Sequence, residues 1–329
     1  MRETPDPVPG PGELLVRTVS TAVCASDIHY MDHPDPSDTS GMFVWDAERD
    51  VVMGHEFVGE VVGHGEGCSD AFPIGARVTS IPILIRSGET QVIGQHPDAP
   101  GSFGELFLVS EMVARVVPDD ADADAVALTD AFAVGEGYVA MSGIAGGQIP
   151  LVIGAGAIGL SAVAALASRG VDPIVIADFN DDRLALAARF GAHITVNRST
   201  RSPYDVWNEV AAERGVTAPP VIFECVGAAG LLQQIVDVCP MGSKIFAAGG
   251  WYTGDSLNVT RATKKLLMIQ FGGAPGGDDW YRTLDAIIAG TLDPRPSIGM
   301  TVDLDGLPDA IDLARKAEGP PRIIVHPNA

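Results

Sequence analysis

The spacing of apolar residues changes near residue 130, and this change divides the chain into two parts. In the first part, short runs rich in β-branched residues are bounded by Gly, Pro or Asp, which is the pattern of β-strands. These runs are residues 14–23, 57–65, 76–85, 105–110 and 114–118. The first part is therefore predicted to be β-rich.

From Ala131 onward, short apolar runs alternate with helical patterns. The apolar runs are residues 151–154, 174–178, 193–197, 221–227, 244–250 and 266–273. The helical patterns between them lie near residues 157–169, 180–190, 203–214 and 228–238. Six strands joined by crossover helices predict a parallel, doubly wound sheet that is buried on both faces. The predicted fold class is thus α/β, with a β-rich domain before a doubly wound one.

The last part of the chain contains helical patterns at residues 279–289 and 306–317 and a strand at residues 322–327. The six-stranded sheet does not need this strand, so we expect it to return to the first domain. The predicted boundaries are residues 1–128 for the first domain, 129–272 for the second and 273–329 for the returning segment.

One stretch, from Gly137 to Ser168, has no charged residue and no histidine, and it is long enough for a membrane span. It contains seven glycines and Pro150, which interrupt any continuous helix. A helix, a strand and a second helix buried in a globular core explain the stretch better.

The chain is strongly acidic, with 21 Lys and Arg against 43 Asp and Glu and a formal net charge of −22. Such a surface repels phosphate backbones and anionic lipids, so we expect neither nucleic acid nor membrane as a partner. Four cysteines that lie far apart in the sequence are too few for a disulfide scaffold, and the N-terminus lacks the apolar core of a signal peptide. A cytoplasmic location is expected.

A glycine-rich loop follows the first strand of the second domain, where Gly154, Gly156 and Gly159 form the pattern GxGxxG before a helix. The first glycine permits a tight turn, the second lets the backbone approach a pyrophosphate, and the third allows close helix–strand packing. A tight turn without a ligand is the alternative. The loop residues predicted to hold a dinucleotide are Gly154, Ala155, Gly156, Ala157, Ile158 and Gly159.

Asp178 ends the next strand, 24 residues after Gly154. A carboxylate there accepts both ribose hydroxyls of an adenosine and repels a 2′-phosphate, which predicts NAD rather than NADP. The alternative is a surface Asp that caps the following helix. Arg183 could reach the same ribose, or it is a solvated charge on that helix.

A second group of polar residues lies in the β-rich part. Cys24 and His29 belong to one segment, and His55 and Glu56 belong to another. Thiolate, imidazole and carboxylate are the ligands that zinc prefers. Each of these residues could instead be packed in the core, and the spacing alone leaves both interpretations open.

These motifs together resemble those of the zinc-dependent medium-chain alcohol dehydrogenase superfamily. GHEFVGEVVGHGEGC at residues 54–68 fits its GHE signature, CASDIH at residues 24–29 fits its first-ligand motif, and VIGAGAIG with Asp178 fits its cofactor motif. The resemblance covers nearly the whole chain. It implies a GroES-like catalytic domain and a Rossmann cofactor domain.

The resemblance implies one catalytic zinc ion. Cys24 and His55 would be ligands, and Asp130 occupies the position of the third ligand, where relatives carry Cys, Asp or Glu. Glu56 would approach the metal and replace its water during turnover. Asp27 would hold His55 in its tautomer, as metal-bound histidines require.

The resemblance also implies a proton path in which Ser26 contacts the substrate oxygen and His29 passes the proton to solvent. Zinc favours the alkoxide, as it lowers the pKa of bound water to about 7, and the alkoxide then expels hydride to the nicotinamide. A hydroxyl and an imidazole are suited to carry the proton away.

Further positions implied by the resemblance concern the cofactor. Ile269 and Phe271 match positions whose backbone meets the nicotinamide carboxamide. Val134 would lie near the nicotinamide ring, and Arg322 matches a basic position near the pyrophosphate.

The chain departs from its relatives in three places. Residues 79–105 contain no cysteine where many relatives bind a structural zinc ion, so we predict none here. The insert of residues 30–52 carries Tyr30, Phe43 and Trp45, and we expect it to remodel the substrate mouth. The N-terminus lacks the opening strand usual in relatives.

The leading hypothesis is an NAD-dependent zinc alcohol dehydrogenase that acts as a homodimer or homotetramer on a small-molecule alcohol or ketone. If Trp45 and Trp251 line the pocket rather than the core, a bulky apolar secondary alcohol fits best. The alternatives are a zinc-free quinone or enoyl reductase of the same superfamily and a non-catalytic nucleotide sensor. The candidate zinc ligands disfavour the first alternative, and Ser26 with His29 disfavours the second.

Overall fold

A β-rich unit and a doubly wound α/β unit make up the chain. The computed structural model describes residues 2–35, 40–250, 254–272, 275–316 and 319–328. The first unit comprises residues 1–130 and 284–329, and the second comprises residues 131–283.

The strands in chain order are β1 (Glu13–Val23), β2 (Glu56–His64), β3 (Arg77–Ser80), β4 (Ile83–Arg86), β5 (Glu89–Val92), β6 (Leu106–Ser110), β7 (Ala114–Val116), β8 (Pro150–Ile153), β9 (Val175–Asp178), β10 (Ile194–Asn197), β11 (Val221–Glu224), β12 (Lys244–Ala247), β13 (Met268–Phe271), β14 (Ile298–Val302) and β15 (Arg322–Val325). The α-helices are α1 (Ala25–Asp32), α2 (Ala123–Ala127), α3 (Thr129–Ser142), α4 (Ala157–Ser168), α5 (Asp181–Arg189), α6 (Pro203–Arg214), α7 (Leu231–Val238), α8 (Val259–Lys264), α9 (Gly277–Ile288) and α10 (Leu307–Ala314).

The sheet of the first unit has the order β14-β15-β1-β2-β3-β7, and β6 also pairs with β1. Alternate residues of each strand point to the same face of the sheet, and this face is apolar and buried. Phe57 and Phe107 pack on it with ring centroids 4.5 Å apart. The last strand, β15, pairs antiparallel with β1. The strand β15 therefore belongs to the sheet of the first unit.

Residues 81–103, which we call the lobe, include the antiparallel hairpin β4–β5. Ser87 and Gly88 connect the two strands with φ of 52° and 84°, the left-handed conformations that suit a two-residue hairpin turn. The Arg86 guanidinium donates to both carboxylate oxygens of the buried Glu13, at 2.6 and 3.0 Å, and to the Asp98 carbonyl at 2.6 Å. These contacts attach the lobe to β1.

The second unit is a parallel sheet with the order β10-β9-β8-β11-β12-β13, in which every adjacent pair is parallel. Its central strands are buried on both faces, and β8 and β11 have fully buried burial patterns. The order is that of the Rossmann fold, with the reversal between β8 and β11. The predicted doubly wound fold is confirmed.

Residues 137–168, the stretch without charged residues, form the end of α3, the strand β8 and the helix α4. No helix within the described ranges is long and apolar enough to span a membrane. The helices α1, α2 and α8 and the strands β5 and β14 were not predicted, because each has at most eight residues.

Candidate active site

The first segment of the site is the turn from β1 into α1. Cys24 is the N-cap of α1, and its backbone N–H donates to Asp27 Oδ2 at 2.9 Å. This contact closes the first turn of the helix, since a carboxylate near the start of a helix satisfies a free N–H group. It also fixes Asp27, which is completely buried, beneath the Cys24 backbone.

The second segment is the start of β2. The antiparallel register pairs Ala22 of β1 with Glu56 of β2. Cys24 follows this point on β1, and His55 precedes it on β2, so the pairing brings their side chains to the same end of the sheet. The spacing alone does not show this proximity, because His55 lies 31 positions after Cys24, and only the resemblance implied it.

Three candidate ligands meet here. Atoms of Cys24, His55 and Glu56 that could bind a metal ion all lie within 4.8 Å of one another. His55 and Glu56 are 6% and 1% exposed. No other such group of three occurs in the part of the chain that the structure describes.

His55 is held from both sides of its ring. Nδ1 lies 3.0 Å from Asp27 Oδ1, and Nε2 lies 3.1 Å from Ser26 Oγ. With Asp27 accepting the Nδ1 proton, Nε2 is the nitrogen available to a metal ion. The predicted orienting role of Asp27 agrees with this geometry.

Glu56 forms a buried ion pair with Arg322, the first residue of β15. Arg322 is 2% exposed. The resemblance implied a place for Arg322 near a pyrophosphate, and that contact stays a prediction; the structure shows Arg322 paired with Glu56 within the first unit. The tertiary pairing of β15 with β1 decides this position, and no local pattern predicts it.

The local charges favour a thiolate. Burial opposes ionisation of the Cys24 thiol, but His55 and Arg322 outweigh burial and lower the pKa of Cys24. Burial likewise opposes charge on His55, yet Asp27 and Cys24 raise the pKa of His55 well above its ordinary value. A divalent cation binds the thiolate of cysteine and the neutral imidazole of histidine. Its binding would therefore release the second proton of the His55 ring.

The residues present fit a zinc ion. The second carboxylate oxygen of Glu56, Oε1, is buried and has no hydrogen-bond partner among the described residues. A buried acceptor of this kind is costly unless something satisfies it. Thiolate, imidazole and carboxylate form the donor set of catalytic zinc sites.

Asp130, the predicted third ligand, lies in the first turn of α3 and is half-buried. Its carboxylate does not belong to the group formed by Cys24, His55 and Glu56. Its role as a ligand stays a prediction.

His29 lies on α1, three residues after Ser26, and is half-buried. Burial and the neighbouring His33 lower the pKa of His29, which keeps its imidazole neutral near pH 7. The His29 and His33 rings stack with centroids 6.0 Å apart. A neutral imidazole can accept a proton, so His29 has the state that the predicted relay needs.

The glycine-rich loop lies in the second unit, between β8 and α4. A Cβ on Gly159 would lie 1.8 Å from the Gly154 carbonyl oxygen, so only glycine fits there. A Cβ on Gly156 would meet nothing within 4 Å. Gly159 is therefore required by packing, whereas the open space at Gly156 is what a bound pyrophosphate would fill.

The Asp178 carboxylate contacts the same loop. Oδ2 accepts from the Ala155 N–H at 2.6 Å, and Oδ1 accepts from the Phe179 and Asn180 N–H groups at 2.7 and 2.9 Å. The N-cap of α5 is Asn180, whose side chain accepts from the Arg183 N–H. The alternative in which Asp178 is that cap is thus wrong, and its carboxylate lies at the loop instead.

The remaining predicted residues lie on several elements. Ile269 is half-buried and Phe271 is 55% exposed on β13. Val134 is half-buried on α3, and Trp45 is 38% exposed in the insert. Trp251 lies outside the described residues. Contacts with a nicotinamide or a substrate stay predictions for these residues.

Known proteins match the chain along most of its length. Residues 10–119 match the family described as alcohol dehydrogenase GroES-like domain, and residues 157–289 match that described as zinc-binding dehydrogenase. The L-threonine 3-dehydrogenase of Salmonella paratyphi B is 30% identical over 331 residues, which cover 97% of this chain and 93% of that protein.

Two solved structures share the fold. 2R,3R-butanediol dehydrogenase from Bacillus subtilis has a TM-score of 0.82 at 25% identity and covers 99% of this chain and 96% of its own. A putative zinc-binding dehydrogenase from Sinorhizobium meliloti 1021, bound to NADP, has a TM-score of 0.83 at 25% identity and covers 99% and 95%.

Proposed function

Because the chain belongs to the zinc-dependent medium-chain dehydrogenase/reductase family, we propose that it interconverts a secondary alcohol and a ketone with NAD as the hydride carrier. The observation that carries this proposal is the buried meeting of Cys24, His55 and Glu56, with Asp27 behind His55. When bound, zinc would act as a Lewis acid on the substrate oxygen, and the nicotinamide would exchange the hydride.

We assign the proton path to Ser26 and His29. Ser26 Oγ lies 3.1 Å from His55 Nε2, the nitrogen that would face the metal ion. This distance is within the range of a hydrogen bond. A substrate oxygen bound beside that nitrogen can therefore share its proton with the Ser26 hydroxyl. The half-buried, neutral His29 receives the proton and passes it to solvent.

The preference for NAD over NADP rests on Asp178. A 2′-phosphate near this carboxylate would suffer repulsion, whereas ribose hydroxyls can donate to it. Phosphate binding falls to the α4 N-terminus after Gly156, and Arg183 on α5 is proposed to reach the same ribose as Asp178. The NADP bound to the Sinorhizobium meliloti protein makes a direct comparison of the two cofactors necessary.

One catalytic zinc ion per chain is proposed, with Cys24, His55 and Asp130 as ligands and Glu56 as an exchanging one. We propose no structural zinc ion, since the lobe holds no cysteine and is attached through Arg86 instead. The substrate class follows the relatives, because threonine at C3 and 2,3-butanediol both carry secondary hydroxyls. The partly exposed Trp45 adds an apolar surface that suits a bulky substrate.

We propose a homo-oligomer, a dimer or a tetramer. The strand β13 ends the sheet of the second unit, and no described strand pairs with its outer edge. Met268 and Phe271 on this strand are 42% and 55% exposed, and exposed edge strands are natural sites of pairing. The four cysteines are free, which agrees with a cytoplasmic location.

The test is zinc content per chain together with turnover of secondary alcohols and ketones with NAD(H) and NADP(H). We expect one zinc ion per chain and a preference for NAD(H). Asp130→Ala should lose zinc and turnover together, whereas Asp119→Ala, at an exposed carboxylate of the same unit, should lose neither.

Other results would redirect the assignment. Two zinc ions per chain would show that a second site exists. Reductase activity without zinc would move the protein to the zinc-free branch. A tightly bound cofactor without turnover on any alcohol or ketone would indicate a sensor.

A further inference from the structure

Two buried hydroxyls lie directly behind the candidate metal site. Thr21 on β1 and Ser102 in the lobe are both 0% exposed. Thr21 Oγ1 donates to the Glu56 carbonyl oxygen at 2.8 Å, and it lies 2.6 Å from Ser102 Oγ. Since the Thr21 proton goes to the carbonyl, Ser102 must be the donor between the two hydroxyls.

Ser102 also holds the other side of His55. Its backbone N–H donates to the Gly54 carbonyl oxygen at 2.9 Å. The two carbonyl groups that flank His55, those of Gly54 and Glu56, are thus both fixed by Ser102, one directly and the other through Thr21.

The lobe fits tightly against this backbone. The N–H groups of Gly101 and Phe103 donate to the carbonyl oxygens of Val52 and Met53 at 2.7 and 2.8 Å. A Cβ on Gly101 would lie 2.2 Å from the Gly54 carbonyl oxygen. The backbone that carries His55 therefore has no room to shift toward the lobe.

We propose that Thr21 and Ser102 are positioning residues for the metal site, which act through the main chain on His55 and Glu56. The first ligands of a metal are effective only when their supports hold them in place, and partners one step away from a metal typically change its affinity about 10–100-fold. Neither hydroxyl belongs to the group of candidate ligands formed by Cys24, His55 and Glu56. This inference rests on the proposed zinc site.

The experiment compares two Thr→Val variants of the full-length protein. Thr21→Val removes the hydroxyl bond to Glu56. Thr79→Val removes a matching bond, because buried Thr79 donates to the carbonyl oxygen of Phe57, the next residue of β2, at 2.7 Å. Each variant loses one buried hydroxyl-to-carbonyl bond, and Thr21→Val also leaves the Ser102 hydroxyl without its acceptor, so the thermal stability of each variant is measured beside its metal release. Thr21→Ser keeps the hydroxyl and serves as the rescue.

The readout is release of bound cobalt(II) or zinc to a chromogenic chelator, with the cobalt–thiolate absorption band as a measure of geometry at Cys24. We expect release about tenfold faster from Thr21→Val and Ser102→Ala, no change in Thr79→Val, and recovery in Thr21→Ser.

Equal release rates from Thr21→Val and Thr79→Val would overturn the positioning role while leaving the zinc site intact. A wild-type protein that binds neither metal would overturn the zinc site itself, and this inference with it.

Discussion

Replacing Arg322 with Met tests the buried ion pair beneath the candidate metal site. Arg322 and Glu56 are 2% and 1% exposed, so the change leaves the Glu56 carboxylate buried and without its countercharge. Removing one partner of a buried pair costs about 3–5 kcal/mol, because the remaining charge is uncompensated. We expect this loss in the free energy of unfolding of the metal-free protein.

Bound zinc should reduce the loss, since a divalent cation near Glu56 supplies part of the missing positive charge. The double variant Arg322→Met with Glu56→Gln removes both charges, and its stability should exceed that of Arg322→Met alone. Urea unfolding followed by circular dichroism, with and without zinc, measures each free energy.

Arg295→Met is the matched control, because it breaks exposed ion pairs with Asp122 and Asp293 in the same unit. Exposed pairs contribute little, so its unfolding curve should stay close to that of the wild type. If Arg322→Met is no less stable than this control without metal, the ion pair with Glu56 does not stabilise the fold as argued.

Three further outcomes follow from the structure. Gly156→Ala should fold normally and bind NAD at least tenfold more weakly, whereas overpacking in Gly159→Ala should lower the free energy of unfolding by about 1–3 kcal/mol or more. Calorimetry measures the stability and a binding titration measures the affinity for NAD. Equal stability of the two variants would contradict the packing argument. Burial raises the pKa of Glu224, so this residue stabilises the folded state below about pH 4.5, and the contribution is lost as pH rises through the pKa of the folded state. Glu224→Gln should therefore flatten the pH dependence of the free energy of unfolding, and Glu213→Gln, at an exposed position, should not. A net charge of −22 repels itself, so the melting temperature should rise with KCl concentration, and a flat or falling response would show that the charges are already neutralised within the fold.

The fold of the second unit could be predicted from local patterns of apolar residues. The apolar runs and the helices between them predicted six parallel strands, and all six occur. The central strands β8 and β11 are mostly apolar because both of their faces are buried, whereas the edge strand β13 is largely exposed. The glycine-rich loop is equally local, because Gly154 and Gly159, which approach each other closely, lie within six consecutive residues. The run at residues 76–85 predicts one strand, but it forms β3 and β4, because Pro82 has no N–H group to continue the ladder.

The candidate metal site could be predicted only in part. Its ligand types and their motifs are visible in the sequence, which is why Cys24, His55 and Glu56 were identified. Their convergence depends on the register of β1 with β2. The role of Asp130 stays a prediction, because its carboxylate does not belong to the group formed by Cys24, His55 and Glu56.

Periodicity and short motifs are properties of neighbouring residues, so the fold class, the family and the types of the candidate ligands could be predicted from them. The ion pair of Arg322 with Glu56 and the hydrogen bonds of Thr21 and Ser102 beside His55 appear only in the folded chain. Those contacts join residues that are far apart in the chain, and strand pairing and close packing bring them together.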